Sequence, residues 1–101
     1  MTIVTVFRSR LREGVESEYG PLAAVMDRIA SSMEGFIDQK RYDAPDGERV
    51  TVVRFADEAS QQRWARHPEH LLAQRRGHDE FYSWFDISVS QELHGRTFSI
   101  D

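Results

Sequence analysis

Two short segments of this chain carry bulky apolar side chains on both of their faces, and this restricts the fold more than any other feature. Residues 2–11 read as a strand in which Ile3, Val4, Val6 and Phe7 leave neither side polar. Residues 49–56 repeat the pattern with Val50, Val52, Val53 and Phe55. A strand that is apolar on both faces must be covered on both.

The intervening residues supply the covers. Val15, Tyr19, Leu22, Met26, Ile29 and Met33 recur at steps of four and three, drawing one apolar stripe down a helix of about five turns. Pro21, just after Gly20, lacks a backbone donor and predicts a kink or a late helix start. Gly35 ends this segment. Residues 36–43 form a second strand, joined to residues 49–56 by Ala44-Pro45-Asp46-Gly47-Glu48, whose Pro-Asp-Gly core is a strong turn signal. Asp57 can cap the next helix, which carries Ala59, Arg63 and Trp64 until Pro68 breaks it. Pro68 can equally open a new helix, with His67 near its N-cap and Leu71, Leu72, Arg75, His78, Phe81 and Tyr82 following. Residues 83–93 alternate, with Phe85, Ile87, Val89 and Leu93 on one side and Trp84, Asp86, Ser88, Ser90 and Glu92 on the other. Residues 94–101 are expected as a short C-terminal arm or an extra edge strand.

The order is βαββαβ with its second helical region split at Pro68, an α+β chain of the ferredoxin-like plan with an antiparallel sheet. In that topology the first and third strands are central, and these are the two that read apolar on both sides. Helices cover one face only, so the sheet of a second copy is the simplest cover for the other, which predicts a homodimer through sheet faces. At 101 residues the chain is one domain, and a domain this small gains from hiding apolar area in an oligomer. Its net charge of −4, with arginines scattered among acids, argues against a nucleic-acid partner. No apolar run approaches the ~20 residues of a membrane span, and no signal peptide pattern opens the chain, so a cytoplasmic protein is expected. The absence of cysteine excludes disulfides, thiolate nucleophiles and iron–sulfur clusters.

Several local pieces occur in a telling order: Phe7-Arg8-Ser9-Arg10, Arg12-Glu13-Gly14, Glu34-Gly35-Phe36, Glu48-Arg49-Val50, the Trp64 to His70 segment, Arg75-Arg76-Gly77 and Glu80-Phe81-Tyr82. Together they resemble the antibiotic biosynthesis monooxygenase family over nearly the whole chain. The resemblance implies a dimeric α/β barrel. Some family members oxidise quinols or anthrones with molecular oxygen and no metal or flavin, others degrade haem, and others act on signalling molecules. The haem-degrading branch uses an Asn on the first strand, a Trp on the second helical region and a His ten residues later. Phe7, Trp64 and Gln74 stand at those places here. Gln74 replaces an imidazole poorly at iron and Phe7 has no amide, so haem degradation is not expected.

The chemistry-bearing residues each admit a plain reading. Trp64 at helical spacing is either core or, as the family resemblance implies, a pocket wall. His67 and His70 lie three apart, a weak metal spacing with Pro68 between them, and no metal or other cofactor is expected. Either histidine suits acid–base work, because imidazole titrates near neutrality. His78 and His94 read as exposed. The Arg8/Arg10 and Arg75/Arg76 pairs read as solvated faces, although one could stabilise an oxyanion. Tyr19, Tyr42, Phe81 and Tyr82 read as interior or interface for the most part. What the resemblance implies is a monooxygenase acting on a small electron-rich aromatic, with His70, His67 and Trp64 catalytic and Phe7, Trp64, Gln74 and Phe81 around the substrate. The alternatives are a non-catalytic dimeric ligand-binding or stress-associated module, and an isomerase on the same fold.

Overall fold

The computed structural model describes residues 1–100. The two strands that are apolar on both faces, β1 (Ile3–Leu11) and β3 (Arg49–Phe55), lie side by side at the centre of a four-stranded sheet. β2 (Phe36–Asp43) flanks β3 and β4 (Tyr82–Gln91) flanks β1, giving the order β2-β3-β1-β4 with every neighbouring pair antiparallel. This is the ferredoxin-like α+β arrangement read from the sequence.

Three helices complete it: α1 (Glu16–Ser32), α2 (Glu58–Ala65) and α3 (Pro68–Arg76). α1 begins ahead of Pro21 and runs through it, so neither a late start nor an interruption occurs there. Asp57 caps α2, its carboxylate accepting from the Ser60 N–H at 2.7 Å, and this bond holds the Asp57 carboxyl below its ordinary pKa. α3 opens with Pro68 in its first turn and His67 as N-cap, so the chain turns sharply between α2 and α3 where the sequence placed the break.

α3 does not run straight into the last strand. Residues Gly77–Phe81 form one π-helical turn, which the sequence did not suggest. Arg12, just after β1, holds this turn: its guanidinium donates to the carbonyls of Tyr82, Asp79 and His78 at 2.9–3.0 Å, and its N–H donates to Phe81 O. The carbonyls left open at the end of a helix thereby find donors. Beyond Glu92, residues 93–100 form no strand, and Leu93, Phe98 and Ile100 are exposed; of the arm and the edge strand expected over 94–101, the edge strand is absent among the described residues, and Asp101 lies outside them.

Strand alternation sorts the side chains into two faces. Thr5 stands opposite Val53 and Val89, Phe7 opposite Thr51 and Ile87, and Gln39 and Arg41 opposite Val53 and Thr51. That face also carries the buried Ile3, Ser9 and Phe55 and receives the helices. The other face presents Val4, Val6, Val50 and Val52, half-buried by one another, with exposed Tyr42 and Trp84 at its flanks.

Under the helices the core is divided. One cluster gathers Ala30, Val53, Phe55 and Trp64, with Ile29, Met33 and Phe36 against it. The other gathers Tyr19, Ala23 and Phe81, with Leu11, Val15, Leu22 and Tyr82. α1 spans both, its first half packing in one and its last turns in the other. Between them, over the middle of the sheet, is open space.

Candidate active site

That space is a cavity of about 240 Å³. Its floor is the helix-facing side of all four strands, with Phe7, Val53, Phe85 and Ile87 apolar and Thr5 polar among them. Leu22, Ala23 and Met26 of α1 form the roof; Leu22 and Ala23 also pack in the Tyr19–Phe81 cluster, while Met26 belongs to neither. Trp64, His70, Ala73 and Gln74 of α2 and α3 make one wall, while Tyr19 and Tyr82 close an end. Large, mainly apolar concavities with a few convergent polar groups are the usual form of small-molecule sites.

The α2–α3 wall carries the most reactive chemistry. Trp64 is only 7% exposed, stacked on Phe55 with ring centroids 5.3 Å apart. The His70 ring also packs against Trp64, centroids 4.5 Å apart, and is 4% exposed. The His70 Nδ1 is 3.2 Å from Ala65 O and 3.1 Å from the Gln74 amide nitrogen. A carbonyl can only accept, so a hydrogen on Nδ1 satisfies Ala65 and leaves Nε2 with its lone pair; the Gln74 amide then turns its oxygen to the same N–H. Burial lowers the His70 pKa below its ordinary value of 6.5; the bond to Ala65 opposes this, and His67 adds to it. The ring is therefore neutral at neutral pH.

This shift has a consequence for stability. A base whose folded pKa is depressed is protonated first in the unfolded chain, so its contribution is present above the unfolded pKa and lost as pH falls through the folded one. Between about pH 7.5 and about pH 5.5 the wild type is expected to lose more thermal stability than His70→Gln. Parallel loss of Tm in the two proteins would mean that His70 is not held neutral by burial.

At the far end the Tyr19 and Tyr82 hydroxyls are 2.8 Å apart, and burial, with Tyr19 second, raises the Tyr82 pKa, so the Tyr82 hydroxyl stays protonated near neutrality. Gly77 makes room for it: a Cβ there would come within 2.4 Å of the Tyr82 ring. A polar margin runs along the β2 side. Asp27 of α1 accepts from Gln39 and, at 3.1 Å, from Arg41, whose Nε donates to Thr51 Oγ1 at 3.3 Å.

The residues singled out in the sequence divide clearly. Phe7, Trp64, His70 and Gln74 line the cavity together. His67 does not: its Nδ1 accepts from the Glu69 N–H at 3.2 Å, capping α3. Phe81 does not either, being fully buried behind the cavity beside Tyr19 and Ala23. His78 and His94 are exposed, as is Tyr42. Arg8 and Arg10 pair with Glu48 and Asp46 of the β2–β3 turn, and Arg76 pairs with Glu80, all on the surface. The arginine of the cavity is Arg41 instead. Thr5, Tyr19, Asp27, Gln39, Arg41, Thr51 and Tyr82 were not named as site residues. For Thr5 a signal existed, since period-two spacing puts it on the same side as Phe7.

This chain belongs to the antibiotic biosynthesis monooxygenase family, whose model matches residues 2–76. It is 25% identical over 93 residues to the uncharacterized protein YqjZ of Bacillus subtilis (strain 168), covering 92% of this chain and 82% of that one. Its fold is similar to that of Rv0793 from Mycobacterium tuberculosis, with a TM-score of 0.85 at 17% identity over 96% of this chain and 100% of that one. It is also similar to SnoaB, a cofactor-independent oxygenase from Streptomyces nogalater, with a TM-score of 0.77 at 14% identity over 93% and 95% of the two chains. At such identities these likenesses concern the fold. No described helix is long and apolar enough to cross a membrane.

Proposed function

We propose that this protein is a cofactor-independent monooxygenase that oxidises a small electron-rich aromatic of the quinol or anthrone type. The observation that carries this reading is the wall formed by Trp64 and His70, an aromatic platform against a buried neutral imidazole in a largely apolar cavity. Membership of the family and the fold likeness to SnoaB support it.

An anthrone or quinol carries its own reducing electrons once deprotonated. Phe7 and Trp64 would hold its ring, and His70 Nε2 would take the proton from the phenol or the acidic ring carbon. The unpaired indole N–H of Trp64 would donate to the oxygen on which negative charge develops. One electron passes from the anion to dioxygen, and the radical pair collapses to a carbon–oxygen bond. The peroxide takes the proton back from His70, the remaining ring hydrogen leaves as its O–O bond breaks, and a ketone and water result. A dry apolar cavity serves this sequence by keeping bulk water from the anion. His67, committed to the backbone of α3, is a poor candidate for the base.

The same reading includes a homodimer. The valine face of the sheet, with Tyr42 and Trp84 beside it, is where a second copy would pack, and covering it answers the demand that β1 and β3 be enclosed on both sides.

Oxygen uptake by metal-stripped protein with a small panel of quinols and anthrones tests the reading, with light scattering expected to give twice the 11.7 kDa chain mass. Uptake above the spontaneous rate is expected for the wild type. His70→Ala should lower it by about 10²–10⁴-fold, the usual range for a general base. Substrate isomerised without oxygen uptake would make the protein a proton-transfer enzyme instead, and ligand bound but never consumed would make it a binding module.

A further inference from the structure

Among the described residues, two buried side-chain polar atoms have no hydrogen-bond partner in the protein: Thr5 Oγ1 and Trp64 Nε1. Both residues line the cavity, although they come from different elements, β1 and the last turn of α2. They meet around one residue: Thr5 pairs with Val53 across the sheet, and Val53 packs in the same apolar cluster as Trp64.

Thr5 is the more informative of the two. It is 1% exposed and stands between Val53 and Val89 on the sheet floor. Packing does not account for its hydroxyl. Valine has nearly the same size and branching, suits a central strand and carries nothing to satisfy, whereas a buried hydroxyl without a partner destabilises the fold. A hydroxyl can donate and accept, while the indole N–H only donates, so an oxygen bearing lone pairs satisfies both.

We propose that Thr5 is a specificity-determining residue of this cavity, its hydroxyl engaging a ring-borne oxygen of a flat ligand that also rests against Trp64. The ligand class is thereby narrowed to fused or single rings bearing a ketone, a phenol or its anion, and ring hydrocarbons of the same outline are rejected. The selection works by leaving the Thr5 hydroxyl unpaired when the oxygen is missing, which discriminates more strongly than apolar contact. The inference rests on the reading of the cavity as an aromatic-substrate site, but concerns recognition and not turnover.

Binding under argon separates the two. Anthrone and 9,10-dihydroanthracene share a three-ring skeleton and differ by the ring oxygen, and quenching of tryptophan fluorescence reports their occupancy. Thr5→Val is expected to weaken anthrone binding about tenfold while leaving dihydroanthracene unchanged. Thr5→Ser, which keeps the hydroxyl, should restore anthrone binding. Without ligand, Thr5→Val should melt no lower than wild type, because it removes an unpaired group. Equal weakening of both compounds, unchanged anthrone binding in Thr5→Val, or no saturable anthrone binding by wild type would each overturn the proposal. If discrimination persists while oxygen uptake is absent, the monooxygenase reading falls and the role of Thr5 stands. Uptake with an indifferent Thr5→Val has the opposite meaning.

Discussion

Trp64→Ala is expected to cost about 3–5 kcal/mol of folding stability, the range for truncating a large buried aromatic. Trp64 is as much core as cavity wall: it stacks on Phe55, packs with Ala30 and Val53, and abuts His70. Truncation would merge the void it leaves with the existing cavity, so little collapse can recover the lost contacts. Since small domains have about 5–15 kcal/mol in hand, this loss leaves a substantial unfolded population near the upper end of the working temperature range. Urea unfolding should show a lower midpoint with an unchanged slope, the signature of altered stability alone. A cost below about 1 kcal/mol would remove Trp64 from the core. Turnover by the alanine variant therefore says little about chemistry. Trp64→Phe is the informative change, because it keeps a ring against Phe55 and deletes an N–H that has no partner in the protein.

Gly35→Ala is the second large effect, and it acts at a residue outside the cavity lining. Gly35 ends the α1–β2 connection with φ +87°, and a Cβ there would lie 2.1 Å from Ser60 Oγ and 2.5 Å from Ser60 Cβ. Left-handed backbone costs a non-glycine residue about 1–2 kcal/mol, and forced overpacking adds about 1–3 kcal/mol. The junction has little room to yield. Gly35 O accepts from the Ala56 N–H at 2.7 Å, and Ser60, 2% exposed, is fixed by the Asp57 cap. The two contributions can be separated. In a Ser60→Gly background the clash disappears, and Gly35→Ala should cost only the backbone share of about 1–2 kcal/mol. The same cost in both backgrounds would show that Ser60 is not the obstacle.

The strands, the central place of β1 and β3, the caps at Asp57 and His67 and the break at Pro68 were legible because each has a local physical cause. Apolar alternation, a carboxylate before a helix and a ring without an N–H act within a few residues of themselves. The site was legible only in part. His67 and His70 are both good bases on paper, and what separates them is that the N-cap ring is turned back to the backbone while the residue three on faces the sheet. Asp27, Gln39 and Arg41 converge from α1 and β2, a contact no local pattern announces. The π-helical turn defeated the helical count at the end of α3. With its extra residue per turn, Phe81 lies in the core and Tyr82 at the cavity, where the family resemblance had implied Phe81 around the substrate.

The division of the sheet into two faces affects how such a chain can drift over generations. Thr5, Phe7, Gln39, Arg41, Thr51, Val53, Phe85 and Ile87 touch the cavity, whereas Val4, Val6, Val50 and Val52 sit one residue away in sequence and point to the opposite side. Neighbouring codons thus answer to separate demands. A change at one parity retunes what the cavity accepts, and a change at the other alters only what meets the outer surface. One scaffold can in this way acquire new ligands by single steps while the rest of its architecture is inherited intact.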